Sequence, residues 1–168
     1  MTIQVDTREH KEEWERIQGQ FDCLGVEYFR SKLYVGDYQS LDNPRLVIDR
    51  KKDLGELCGN VCQQHERFKA ELLRAKQHGI KIIILCEHGD GIQTVEDVYF
   101  WQNPRKHRTI WKTVDGKRIK TVISEKAVEG CQLYKTLCTI RDRYNVDFVF
   151  CQKNETGRKI MEILSNDQ

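Results

Sequence analysis

Apolar residues recur along the chain with two periods, and the alternation between them sets out the architecture. Residues 2–6 alternate, with Ile3 and Val5 on one face, and predict a strand. Residues 11–21 carry Trp14, Ile17 and Phe21 at helical spacing, and Gly25 closes that unit. Residues 26–35 read as a strand, Gly36-Asp37 as a turn, and residues 38–41 as a short extended piece. Asp42-Asn43-Pro44 is a second turn, and residues 46–51, LVIDRK, open as a buried strand that runs straight into three charges. The most regular stripe is Leu54, Leu57, Cys58, Val61, Cys62, His65, Phe68, Leu72 and Ala75, which predicts one helix over 54–77 stopped by Gly79. The run KIIILC at 81–86 predicts a strand buried on both faces. A short helix is expected over 94–101, a long one over 125–144, a strand over 147–151 and a closing helix over 156–164. Between them, residues 109–114 and 117–123 flank Asp115-Gly116, the turn pair of a β-hairpin.

Strands alternating with helices predict an α/β layered domain. The absence of an internal repeat or low-complexity linker makes residues 1–168 one domain, with an inserted hairpin at 109–123. No apolar run approaches the roughly 18 residues of a membrane span, so no membrane association is expected. The first residues lack the basic-then-apolar pattern of a secretory signal, and a cytoplasmic location follows as an expectation. The seven cysteines lie mostly in apolar periodic stretches without a C-x-x-C pair, as small buried thiols of a reduced compartment do. Cys58, Cys62 and His65 have no second ligand pair spaced to complete a zinc tetrahedron.

The net charge of +2 conceals a local excess. Arg105, Lys106, Arg108, Lys112, Lys117, Arg118 and Lys120 stand in and beside the hairpin against the single acid Asp115, a basic patch suited to a polyanion. Trp101 and Trp111 flank it, with core packing, cross-strand packing and stacking on bases all open to them.

The candidate chemistry lies in residues 34–53, YVGDYQSLDNPRLVIDRKKD. On a strand, residues i and i+2 share a face, so Asp49 and Lys51 stand together and Arg50 points the other way. With Asp37 on the preceding strand, two carboxylates can hold Mg²⁺ while the lysine orients or deprotonates a water, as in a metal-dependent phosphodiesterase. The bland alternative is a solvated strand end that happens to carry charges.

Three segments then fall in order: V-D-T-R-E at 5–9, V-G-D-Y at 35–38 and V-I-D-R-K at 47–51. The set resembles the XPF-type structure-specific endonuclease domain, a branch of the PD-(D/E)XK nuclease superfamily, and the likeness extends through Glu66-Arg67-Phe68 and the later strands. The resemblance implies a restriction-endonuclease-like three-layer core, a central mixed sheet flanked by helices. It implies Mg²⁺, with Mn²⁺ as a substitute, held by Asp37, Asp49 and Asp6. Lys51 would act on the water or the scissile phosphate, Glu9 would stand near the metal, and Arg8, Arg50 and Arg67 would brace the site or touch phosphate. It further implies branched or flapped DNA as substrate, in repair or recombination, and a homodimer through the C-terminal helices.

Two departures matter: the family's Glu is Asp49, and its trailing Asp falls on Gly55, with Asp53 and Glu56 nearby. The family's helix-hairpin-helix and helicase modules are not in this sequence, so the expected source of DNA-shape selection is the hairpin, a dimer or a separate partner. The rival expectations are a non-catalytic DNA-binding or scaffold subunit, and a sequence-specific restriction-type nuclease.

Overall fold

The computed structural model describes residues 1–89, 91–122 and 126–165. Six strands form its centre: β1 (Thr2–Val5), β2 (Glu27–Arg30), β3 (Tyr38–Ser40), β4 (Leu46–Lys51), β5 (Lys81–Cys86) and β8 (Val146–Phe150). They make one mixed sheet in the order β2-β1-β3-β4-β5-β8. β3 runs antiparallel to both β1 and β4, while β4, β5 and β8 run parallel. β4 is therefore interior, and all six of its residues are buried.

Alternation along β4 divides the core. Val47 joins the apolar cluster formed with α2 (Leu54–Cys58), α3 (His65–Gln77) and α4 (Gly130–Tyr144). Ile48 joins the cluster formed with α1 (Lys11–Leu24) and α5 (Thr156–Ser165). The result is helix, sheet, helix: the α/β layering expected from the pattern, in the three layers that the resemblance implied.

Several elements differ from the expectation. The strand expected over 26–35 ends at Arg30: Ser31 N–H makes a last bond to β1, at the Val5 carbonyl, and Leu33 N–H turns away to the Asp6 carboxylate. The helix expected over 54–77 is broken by a π-helical turn at Gly59–Gln63, where Gln64 N–H reaches back to the Gly59 carbonyl. That extra residue resets the apolar stripe, so Val61 and Phe68 are buried while Cys62 and His65 face solvent. Burial and the neighbouring Cys62 push the Cys58 thiol up to about 12, the value of a packed, protonated thiol. The 94–101 segment is only a 3₁₀ turn, Glu96–Phe100, and the expected 125–144 helix begins at Gly130, fixed by a reciprocal capping box between Glu129 and Gln132.

The basic hairpin forms as expected from β6 (Thr109–Val114) and β7 (Lys117–Val122), and Ile123 and Glu125 lie outside the described residues. Asp115 and Gly116 both have positive φ, 50° and 77°, as a type I′ turn demands. Every residue of β6 is exposed. The roots of the excursion are fastened to the body: Asn103 donates to the Val128 carbonyl at 2.9 Å, and Lys106 pairs with Glu129. At Gly130 a side-chain carbon would lie 2.5 Å from the carbonyl oxygens of Val98 and Trp101, so only glycine lets α4 start against the 3₁₀ turn. Among the described residues, no helix is long and apolar enough to cross a membrane.

Candidate active site

The site is a cleft of about 440 Å³ between the end of β4, the start of α1 and the face of α3. Gly36 shapes its floor. Its φ is 68°, and a side-chain carbon added there would collide with Val47 Cγ1, so no other residue fits without rearrangement. The backbone then turns Asp37 inward: Asp37 N–H donates to the Ile48 carbonyl and Asp6 N–H to the Asp37 carbonyl, both at 2.8 Å. Asp37 Oδ2 accepts the Arg50 amide at 2.8 Å.

Asp49, Arg50 and Lys51 are only 6%, 8% and 7% exposed. A solvated strand end is thereby excluded, since buried charges are tolerated only with specific partners. Asp49 and Lys51 share a face, as the period requires, and Lys51 Nζ lies 2.8 Å from the Asp49 carboxylate and 5.9 Å from the Phe68 ring centroid. Burial alone would lower the Lys51 pKa, but the charges of Asp49 and Asp37 and the hydrogen bond to Asp49 hold it raised. The neighbouring carboxylates thus favour the charged form of Lys51, held as a donor against Asp49. Asp37 is shifted in the opposite sense for an anion: burial, then the Asp49 and Glu9 charges, raise its carboxyl well above the usual range against the pull of Lys51. The cleft is lined by six carboxylates, Glu9, Glu13, Asp37, Asp49, Glu56 and Glu71, against five Lys and Arg side chains.

Arg50, on the other face, is a brace. Its Nη2 lies 2.6 Å from Glu9 Oε1, and its Nη1 3.1 Å from Glu87 Oε2 and 3.7 Å from Glu13. The Arg50–Glu87 contact is not aligned as a hydrogen bond, so charge rather than direction holds it. Glu87 also accepts from Arg16 at 2.6 Å and from the Thr156 hydroxyl at 2.7 Å. This network ties β4, β5, α1 and α5 together under the cleft, and it sets both Nη atoms of Arg50 against carboxylates. Glu9 lines the cleft, but its carboxylate is shared between Arg50 and the Tyr38 hydroxyl.

Asp6 does not join the carboxylates of the cleft. It is fully buried and accepts four hydrogen bonds: the Arg8 amide at 2.7 Å, Arg8 Nε at 2.8 Å, Arg8 Nη2 at 2.9 Å and the Leu33 amide at 2.7 Å. Burial alone would raise its pKa, but these bonds outweigh it and lower it. Among the described residues, no group of three or more His, Cys, Asp or Glu side chains is arranged to hold a metal ion. Of the expected ligands Asp6, Asp37 and Asp49, only Asp37 and Asp49 line the cleft. A pair of carboxylates suits Mg²⁺, which takes one or two protein carboxylates and completes its shell with water and substrate phosphate.

Arg8 and Arg67 are exposed at the cleft. The expected contacts Arg105, Lys106, Arg108, Lys112, Lys117, Arg118 and Lys120 stand apart from it, on the hairpin and its root. Of the two acids beside Gly55, Asp53 caps α2 by accepting the Glu56 amide at 2.7 Å, whereas Glu56 lines the cleft. Glu71 on α3 also lines it and accepts the Gly36 amide at 3.2 Å. Sequence reasoning missed Glu71. The available signal was its i+4 spacing from Arg67, which puts the two on one edge of the helix.

Sheet order and layering define a three-layer α/β domain of restriction-endonuclease-like fold, with a buried carboxylate–lysine pair at the end of an interior strand. The ERCC4 domain model matches residues 5–163, and the chain belongs to that family. Its fold is similar to the solved structure of XPF from Aeropyrum pernix, with a TM-score of 0.63 and 17% identity over 98% of this chain and 63% of that one. It is equally similar to the structure of XPF from Aeropyrum pernix in complex with DNA, with a TM-score of 0.61 and 16% identity over 97% of this chain and 62% of that one. The chain thus spans somewhat under two thirds of those proteins. No curated protein matches its sequence significantly.

Proposed function

We propose that this domain is a Mg²⁺-dependent endonuclease that hydrolyses phosphodiester bonds at branched or flapped DNA. The observation that carries the reading is the burial of Asp49 and Lys51 beside Asp37 at the end of β4, in a cleft lined by more carboxylates than Lys and Arg side chains. Asp37 and Asp49 would hold the cation, with Mn²⁺ as a substitute. When bound, the cation supplies charge neutralisation at the phosphate and a more acidic water. Lys51, protonated, orients the attacking water or donates to a non-bridging phosphate oxygen, and the Asp49 contact fixes its position. Arg8 and Arg67 hold the backbone beside the cleft by charge-assisted bonds. Arg50 and Asp6 position: the first sets β4 against α1, the second sets the Arg8 loop. Glu56 stands where it could supply the acid that Gly55 cannot.

The basic hairpin is the second element of the reading, an arm along the phosphate backbone that positions without reading sequence. A homodimer through the C-terminal helices belongs to the same proposal, on family grounds, and mass in solution tests it. The deciding assay presents flap, fork, four-way junction and plain duplex to the purified chain, with Mg²⁺ and with EDTA. Cleavage of branched substrates in Mg²⁺ only is the expected result. Cleavage undiminished in EDTA sinks the metal assignment. Binding without cleavage under every cation tried makes the domain a non-catalytic DNA-binding subunit.

A further inference from the structure

The three tryptophans divide sharply. Trp14 and Trp101 are 5% and 8% exposed and belong to the core, whereas Trp111 on β6 is 61% exposed. Strand register decides its company. Trp111 pairs with Lys120 and Thr113 with Arg118, so Trp111, Lys120, Arg118, Thr109 and Thr113 share one face of the ribbon. The Arg118 guanidinium lies 5.7 Å from the Trp111 ring centroid. The opposite face carries Ile110, Val114 and Ile119 among Lys112, Lys117 and Thr121. A wide aromatic flanked by two cations, on a ribbon whose strands face solvent, has the chemistry of a base-stacking platform. The indole offers a π face of sequence-independent affinity, and the cations neutralise the phosphates on either side.

We propose that Trp111, with Arg118 and Lys120, stacks on an unpaired nucleobase, so that the hairpin captures a single-stranded segment of nucleic acid. The proposal rests on the nucleic-acid reading of the arm and adds the class of ligand. Paired bases in a duplex hide their faces, and Trp111 therefore distinguishes a strand with free bases from a continuous helix. On a branched substrate the single-stranded limb is that ligand.

The test uses intrinsic fluorescence of the full chain in EDTA, where a nuclease that depends on a divalent cation does not cut. Since Trp14 and Trp101 are buried, quenching on titration reports on Trp111. A short oligothymidylate is compared with an abasic strand of equal length, a blunt duplex and an oligouridylate. Quenching is expected with the oligothymidylate, and little with the abasic strand or duplex. The oligouridylate, whose bases are equally free, should quench as well, because stacking does not depend on the base. Trp111→Leu keeps an apolar, strand-compatible side chain without the aromatic face. It should weaken oligothymidylate binding, followed by anisotropy of a labelled strand, by roughly ten- to hundred-fold, the range that one stacked base supplies. Trp111→Phe should recover most of that loss, and duplex affinity should stay within about two-fold in both variants. Equal affinity of Trp111→Leu and the unmodified chain for the oligothymidylate overturns the proposal, as does equal quenching by the abasic strand. A fall in solution mass in Trp111→Leu without loss of binding overturns it too, and makes this face a contact between copies. Cleavage of flapped duplex in Mg²⁺, scored separately, shows whether the nuclease reading stands when the stacking proposal falls.

Discussion

Replacing Arg50 with Met removes the cation at the centre of the buried network while keeping a flexible apolar stem of similar length. Both sides of its main pair are interior, with 6% of the Arg50 side chain and 5% of the Glu9 side chain exposed. Glu87 keeps Arg16 and Thr156, at 2.6 and 2.7 Å, and Glu13 keeps Arg16 at 2.9 Å. Glu9 keeps only the Tyr38 hydroxyl among the partners identified in the cleft, at 3.1 Å. The loss therefore falls mainly on Glu9, with Glu87 Oε2 also giving up its ion pair, and removing one partner of a buried pair costs about 3–5 kcal/mol. That is a large share of the roughly 5–15 kcal/mol that holds a domain folded. Urea unfolding should show the midpoint falling with the slope unchanged. Arg50→Met combined with Glu9→Gln leaves no lone charge and should recover much of the loss, with a coupling energy of about 2–3 kcal/mol. Under conditions where Arg50→Met remains folded, the dependence of DNA affinity on salt should equal that of the unmodified chain. A destabilisation under about 1 kcal/mol, or a shallower salt slope, would refute the brace and return Arg50 to the phosphate.

Four further outcomes follow from the site. Lys51→Ala should lower single-turnover cleavage by about 10²–10³ while leaving DNA affinity within a few-fold, by analogy with loss of one donor at an oxyanion site; wild-type cleavage makes it a structural lysine. Gly36→Ala should destabilise by about 2–4 kcal/mol in denaturant unfolding, from positive φ and overlap with Val47; a neutral effect shows that the turn relaxes freely. Because the Asp37 carboxyl is raised, the cation-free fold retains a proton there that the unfolded chain releases, so stability declines as pH rises from the ordinary carboxylate value through the raised one. Asp37→Asn should flatten that decline and Mn²⁺ at neutral pH should offset it, and a pH-independent difference between variant and parent contradicts the assignment. Replacing Lys112, Lys117, Arg118 and Lys120 with Ala should weaken DNA binding uniformly across sequences and reduce the salt slope by roughly 0.9 for each phosphate the arm no longer neutralises, whereas an unchanged slope removes the arm from the DNA.

The floor of the cleft was legible because it obeys short-range rules. Val47 and Ile48 announce a buried strand, the period of two carries Asp49 and Lys51 to one side, and Gly36-Asp37 reads as a turn, which the positive φ of Gly36 bears out. What lay beyond the sequence was the company each charge keeps. Asp6 matches an acidic motif position, yet Arg8 two residues on folds back onto it and removes it from the cleft. Arg50 was open between phosphate and brace, because Glu87 reaches it from a strand far along the chain. The break at Gly59 was invisible because one extra residue in a turn disturbs an apolar stripe by less than its own irregularity, and Glu71 depends on how α3 is rotated after that break. The departure at Gly55 was plain in the sequence, but only the cap role of Asp53 separates it from Glu56.

Both ends of the basic excursion leave the body at one point, where Asn103 and Val128 touch and Gly130 seats α4 against the 3₁₀ turn. A closed junction of this kind makes the length and content of what hangs from it nearly indifferent to the sheet, since lengthening a loop whose ends are already held adds only about 0.6 kcal/mol per doubling. The hairpin is in that sense an interchangeable head on a fixed handle. A lineage can shorten it, recharge it or trade its aromatic without disturbing the alignment of Asp37 with Asp49. On the proposed reading, the arm's contacts with DNA can therefore change while the cleft stands still.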